Sequence, residues 1–268
     1  MKKYLLVLFA GLALSFLAAC GESFDTIRRD PDPKLRLAKA REYYDAGDYQ
    51  KAQYLFEDLI PLLRNDSTGE RVFFLLANCY YNQKSYPSAA YYFKQHYNTY
   101  TNGKFAEEAL FMSAMANYQM SPNYRLDMTE TEKAIEGFQL FANTFPLSAR
   151  VADCNRAIDQ LRQKQEEKAY ESAYLYFQLS DFKAASHSFS TLLRDYPDSP
   201  NDEKIRFMLL KSHFKLAQNS VEEKQRERYN ETIKFYYDFI DRYPQSAQSA
   251  EAQKYFEASR DALKMPEQ

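Results

Sequence analysis

Residues 173–199 read AYLYFQLSDFKAASHSFSTLLRDYPDS, and the spacing inside this stretch decides the fold. Small Ala173 and Ala185 stand twelve residues apart, Tyr176-Phe177 and Phe182 flank a short polar gap at Asp181, and Phe189, Leu192 and Pro197 follow. Apolar residues at three- and four-residue intervals on both sides of the gap predict two amphipathic helices joined by a tight turn, with proline ending the second. The same order appears at Ala40, Tyr43-Tyr44, Gly47-Asp48-Tyr49, Ala52, Phe56 and Leu59. Thirty-seven residues on it returns at Ala77, Tyr80-Tyr81, Tyr86, Ala89, Phe93 and His96. A third copy runs through Ala114, Tyr118, Ala134, Phe138, Phe141 and Pro146, and a weaker fifth through Lys211, Phe214, Thr232, Tyr236, Phe239 and Pro244.

Small residues at the first and third anchors let the two helices of a unit approach closely, and the aromatics fill the space toward the next helix. These anchor positions resemble the tetratricopeptide repeat, a helix-turn-helix unit of about 34 residues. The expected fold is therefore all-α: a solenoid of about five such repeats over 34–244, with a capping helix from about Ser246 to Leu263. Repeats three and five carry insertions at 119–131 and 217–229, expected as longer loops or extended helix ends. No glycine or proline interrupts 147–195, which predicts a first helix of about 28 residues, some 42 Å long, in repeat four. Serine follows proline at Ser148, Ser199 and Ser246 and is expected to cap the next helix.

Composition removes whole classes of function. The chain has 268 residues, 45% hydrophobic and 27% charged, with six glycines, too scattered for a dinucleotide-binding or phosphate-cradling loop. A formal charge of -2 leaves no basic field for nucleic acid. Three cysteines and three histidines form no CxxC pair and no HExxH helix, so no metal, cofactor or catalytic residue is expected. His96, His187 and His213 sit at or beside anchors and read as packed or half-buried residues. Cys79 and Cys154 fall in helices of different repeats, too far apart for a disulfide. The run Lys164-Gln165-Glu166-Glu167-Lys168 reads as a solvated helix face.

The N-terminus addresses the protein. Lys2-Lys3 precede an apolar run from Leu5 to Leu17, too short to span a bilayer but suited to a signal core. The run ends in Leu17-Ala18-Ala19-Cys20-Gly21, which resembles a bacterial lipoprotein signal in which Cys20 is acylated and becomes the first mature residue; the alternative is a soluble export signal cut after Gly21. The expected divisions are a signal at 1–19, an extended polar tether at 20–33, repeats one to three at 34–146, and repeats four and five with the cap at 147–268. Gly21 stands where an inner-membrane lipoprotein of many enteric-type bacteria has aspartate, so the resemblance implies an outer-membrane anchor facing the periplasm.

Signal, tether and five repeats together resemble the BamD family, the lipoprotein subunits of the machinery that inserts β-barrel proteins into the bacterial outer membrane. The stretch from Arg150 through Tyr176 to Phe182-Lys183-Ala184-Ala185 and Tyr196-Pro197 carries the likeness furthest, and the longer middle insertion departs from it. The resemblance implies a non-enzymatic scaffold. Its C-terminal repeats would hold the periplasmic domains of the β-barrel insertase, and its N-terminal repeats would receive extended segments of unfolded outer-membrane proteins. The alternative is a lipoprotein that positions peptidoglycan enzymes or a pilus secretin. In tetratricopeptide folds the first helix of each repeat lines the concave side, so the residues expected there are Arg41 and Tyr44, Asn78 and Tyr81, and Met115 and Tyr118. Replacing Cys20 with serine is expected to abolish fatty-acid labelling and leave a larger, unprocessed precursor on a gel. Processing to the parent size would refute acylation at that residue.

Overall fold

The computed structural model describes residues 23–63 and 68–263, so Cys20 and the signal lie outside the described residues. Twelve helices fill them, with no strand among the described residues. They are α1 (Phe24–Arg28), α2 (Pro33–Asp45), α3 (Tyr49–Leu63), α4 (Gly69–Asn82), α5 (Tyr86–Thr99), α6 (Ala106–Met120), α7 (Thr129–Thr144), α8 (Val151–Gln178), α9 (Phe182–Asp195), α10 (Asp202–Gln218), α11 (Glu222–Arg242) and α12 (Ser249–Ala262). The pairs α2–α3, α4–α5, α6–α7, α8–α9 and α10–α11 are the five repeats, and α12 follows the last as the expected extra helix. The fold is a tetratricopeptide-repeat solenoid. The chain divides into two compact units, one running to Pro122 with Met128–Ile158, the other comprising Asn123–Asp127 and Asp159–Gln268.

Close helix approach explains the anchors. Ala40, Ala52, Ala77, Ala89, Ala134, Ala173 and Ala185 are fully buried, as are Phe56, Phe93, Phe138, Phe189 and Phe239 on the second helices. Between α6 and α7 the helices come closer still, where a Cβ on Gly137 would fall 2.9 Å from that of Ala114. Repeat five differs from expectation. Lys211 is not its buried small residue: its ammonium reaches Glu251 at 2.9 Å, while neighbouring Ser212 is the fully buried one. A lysine tip seeks water or a carboxylate, so the small serine takes the close contact.

Two kinds of turn recur. Within repeats one, two and four the first helix ends with Gly47, Lys84 or Ser180 at φ of 81°, 60° or 62°. Each turn carries the paired backbone bonds of a Schellman motif, the long one running from Asp48 to Tyr43, Ser85 to Tyr80 and Asp181 to Tyr176. Asp48 and Asp181 then accept from Lys51 and Ala184 N–H at 3.2 and 3.0 Å, capping the second helix. The insertions replace this turn in the other repeats. The first forms a loop between α6 and α7, and the second lengthens α11 to 21 residues.

Between repeats, Phe145-Pro146-Leu147-Ser148, Tyr196-Pro197-Asp198-Ser199 and Tyr243-Pro244-Gln245-Ser246 form the same turn three times. The aromatic N–H returns to the carbonyl four residues back, and the serine N–H bonds the aromatic carbonyl. The serines are not the helix caps expected from the sequence. Each Oγ accepts the N–H two residues on, from Arg150, Asn201 or Gln248, and shapes the entry one residue before the helix begins.

The long helix is present as expected: α8 has 28 residues. The tether is not. Phe24–Arg28 is helical, Ile27 is buried at 4% exposure, and Phe24 packs edge-on to Tyr43 at 5.9 Å. Arg28 clamps the segment to Asp58 at 2.8 Å. Two apolar side chains in a short polar stretch, Phe24 and Ile27, are enough to dock it on repeat one.

Left-handed backbone disfavours side chains with a Cβ by about 1–2 kcal/mol, a strain glycine lacks. Lys84→Gly and Ser180→Gly are therefore each expected to raise stability by about 1 kcal/mol, and Gly47→Ala to lower it comparably. Urea unfolding midpoints check this, and unchanged midpoints would refute the strain at these turns.

Candidate binding surface

The six residues expected to line the concave side are all half-buried and sit on the first helices of repeats one to three, 37 residues apart. Tyr44, Tyr81 and Tyr118 occupy one structural position. Each meets the core phenylalanine of its own second helix edge-on, Phe56 at 6.4 Å, Phe93 at 6.5 Å and Phe138 at 6.1 Å. Tyr44 and Tyr81 also wedge against the first aromatic after the turn, Tyr49 and Tyr86, both at 5.4 Å. Phe177 repeats that contact with Phe182 at 5.4 Å, which shows that the position works without a hydroxyl. Burial pushes the Tyr44 hydroxyl up to about 12, and Cys79, Tyr49 and Asp45 add to it. These rings hold the repeats together.

Arg41, Asn78 and Met115 stand one residue past the small anchor. Asn78 folds back along its own helix and donates from Nδ2 to the Phe74 carbonyl at 2.9 Å. Arg41 is different: its Nε is buried and has no hydrogen-bond partner among the described residues. A guanidinium N–H left so is an unmet donor at a half-buried position.

A row of glutamates escaped the sequence reading. Glu70 Oε1 accepts the Phe105 N–H at 2.8 Å, and a Cβ on Gly103 would meet that oxygen at 2.2 Å. Glu107 accepts from Ser148 Oγ at 2.6 Å, and neighbouring Glu108 pairs with Arg150, whose guanidinium lies 4.5 Å over Phe111. Glu166 accepts at Oε1 from Ser199 Oγ at 2.6 Å and from Asn201 Nδ2 at 2.9 Å. So the 164–168 run is no uniform solvated face: Glu166 is only 6% exposed. The 37-residue interval from Glu70 to Glu107 was the visible signal, hidden because charge runs ordinarily face water. Beside Glu166 lies a cleft of about 680 Å³ lined by Arg162, Asp195, Tyr196 and Pro197. Burial raises the Tyr196 pKa, Asp195 and Glu166 add to it, and Arg162 opposes them.

The remaining titratable groups are packing residues. His96 is fully buried, with Nε2 at 3.1 Å from the Glu70 carbonyl and rings of Phe73, Phe74 and Tyr100 within 6 Å. Burial lowers its pKa. His213 stacks on Phe235 at 4.2 Å, and burial takes it to about 4. His187 is exposed, not packed as expected, because the buried face of α9 passes through Ala185, Ser186 and Phe189 instead. Cys79 and Cys154 are free and buried, and burial pushes their thiols up to about 12 and about 11. Such thiols are poor nucleophiles. Among the described residues no three histidine, cysteine or carboxylate side chains converge as metal ligands would.

These features define a helical-repeat scaffold whose polar side chains stitch repeats together. The profile of the family described as "YfiO: Outer membrane lipoprotein" matches residues 29–165 and 162–267. The chain belongs to this family of outer membrane lipoproteins. No curated protein sequence matches it. Among solved structures it is similar to the TPR2AB domain of yeast Sti1 in its pHSP90 complex, at 14% identity and TM-score 0.42, over 86% of this chain and 90% of that one. A thermophilic tetratricopeptide-repeat protein of Thermus thermophilus is similar at 14% identity and TM-score 0.33, over 87% of this chain and 100% of that one.

Tyr81→Ala removes a ring from between two helices and is expected to cost about 2 kcal/mol, whereas Tyr81→Phe keeps the ring and should cost under about 1 kcal/mol. Denaturant midpoints of the two variants test this. Equal, negligible losses would mean the ring is not part of the repeat core.

Proposed function

We propose that this lipoprotein is a non-enzymatic scaffold of the β-barrel assembly machinery, anchored through acylated Cys20 and facing the periplasm. Its N-terminal repeats receive extended segments of unfolded outer-membrane proteins, and its C-terminal repeats hold the periplasmic domains of the insertase. The observation that carries the reading is the set of three equivalent repeat positions, Arg41, Asn78 and Met115, each half-buried and 37 residues from the next, with the Arg41 guanidinium the one charged group among them. An extended peptide offers carbonyls along its length and a carboxylate at its end, and arginine can bind either with parallel N–H groups. Met115, at the third equivalent position, supplies adaptable apolar area, and the tyrosine edges supply rigid area.

In the C-terminal unit, α8 ends in a surface that suits a protein partner. Leu175 is 53% exposed and Leu179, one turn on, is 69% exposed, with Tyr176 beside them at 43%. Contiguous exposed apolar patches mark interaction surfaces.

Photocrosslinking in cells from position 179, followed by mass spectrometry, is expected to capture a large β-barrel protein with periplasmic domains. Position 41 should capture newly exported outer-membrane proteins. In solution, Arg41→Gln is expected to weaken binding of peptides from β-barrel C-termini by about 1–3 kcal/mol, the range of interface hot spots, without changing helical content. Capture of a murein hydrolase or a secretin at both positions would overturn the assembly reading.

A further inference from the structure

The segment that follows Cys20 is a bracket. From Ser23 onward the chain is fixed to repeat one: Phe24 lies 5.9 Å from Tyr43 and 6.3 Å from Tyr54, Ile27 is buried, and Arg28 stacks over Tyr54 at 5.4 Å. Arg28 also grips Asp58 with Nε at 2.8 Å and its Nη2 at 3.3 Å. Beyond α1, Asp30 accepts the Asp32 N–H at 2.8 Å and Asp32 accepts that of Lys34 at 2.9 Å, so hydrogen bonds lead directly into α2.

The geometry sets a short leash. Three Cα–Cα steps separate Cys20 from Ser23, at most about 11 Å of chain. If Cys20 carries the acyl chains, as the proposed function holds, no flexible tether of thirteen residues intervenes between lipid and folded repeat. α1 lies on one face of α3, over Tyr54 and Asp58. Four residues further along that face is Leu62, 58% exposed, with Tyr54 itself 36% exposed. An exposed leucine and a half-covered tyrosine suit the headgroup boundary, where apolar bodies with polar tips settle.

We infer that repeat one is itself a membrane-contact surface: the acylated cysteine holds the α1-bearing face of α3, with Leu62 at its rim, against phospholipid headgroups. The inference rests on acylation of Cys20, and the partner is a lipid surface, not a protein. The bracket fixes which end of the repeat array lies at the membrane, a constraint that a thirteen-residue tether would not impose.

The test uses the full, acylated protein carrying Leu62→Cys labelled with an environment-sensitive fluorophore, since Cys79 and Cys154 are buried. It is reconstituted in phosphatidylethanolamine–phosphatidylglycerol vesicles containing headgroup spin-labelled lipid. A second variant carries about twelve added Gly and Ser residues after Glu22, which lets the repeat drift by roughly 20 Å. Quenching at position 62 is expected in the first protein and at least about threefold weaker in the second, with both floating equally with vesicles. A third, Phe24→Ala with Ile27→Ala, releases α1 and should also lose quenching while keeping its helical content. Equal quenching with and without the insertion, or none in a parent that floats, overturns the bracket and leaves the anchor standing. A parent that does not float refutes the anchor, and the bracket with it.

Discussion

The close approach of two helices at paired small residues is the constraint on which the rest depends. Ala40 with Ala52, Ala77 with Ala89 and Ala173 with Ala185 are fully buried because a larger side chain would separate the helices they belong to. At Gly137 even a methyl group is too much, with Ala114 already 2.9 Å from where it would sit. Once backbones are this near, the aromatic that follows has one place to go, edge-on against the core phenylalanine of the partner helix. That is why Tyr44, Tyr81 and Tyr118 make the same contact within 0.4 Å of centroid distance. Native packing tolerates little variation in volume, so the period of 37 residues is a packing period before it is a sequence one.

Turns then convert one repeat into many. Inside repeats one, two and four a left-handed residue reverses the chain in the fewest steps; after repeats three, four and five an aromatic-proline turn ends the helix and a serine side chain shapes the entry to the next. Glutamates tie these second turns to earlier helices, Glu107 to Ser148 and Glu166 to Ser199 and Asn201. A carboxylate bonded to a hydroxyl and an amide is satisfied without a formal counter-charge, so it can lie at 6% exposure. In the last repeat Ser246 turns to Gln248 at 2.7 Å instead, and an arginine bridging two aspartates, Asp202 and Asp238, links the helices there.

The five helix pairs with their cap, the 28-residue helix and most of the buried anchors were legible in the sequence because they depend on local period and on residue size. What was not legible depends on which polar group meets which. Glu166 looked like part of a solvated run because its partners lie 33 and 35 residues away. The segment 23–33 looked like a tether because its charges outnumber its apolar residues, yet Phe24 and Ile27 find a niche that only the folded repeat creates. Lys211 stood in register as an anchor, and the structure moved the role one residue to Ser212, since a serine can bond the Met208 carbonyl at 2.7 Å inside its own helix.

The same distinction sorts the residues expected to bind a partner. A tyrosine ring wedged between two helices is held in one rotamer, which makes it a rigid platform edge but removes it from the set of groups that adapt to different sequences. Asn78 is likewise committed, to the Phe74 carbonyl. What stays adaptable at these positions is the neighbours that packing leaves uncommitted. Met115 adapts by its flexible thioether, and Arg41 carries a donor that nothing in repeat one fulfils. Burying that donor unpaired is unfavourable. Two roles are thereby separated: the aromatic at each 37-residue step is fixed against the phenylalanine of its own second helix, while the residue three positions before it varies from Arg41 through a committed Asn78 to a flexible Met115.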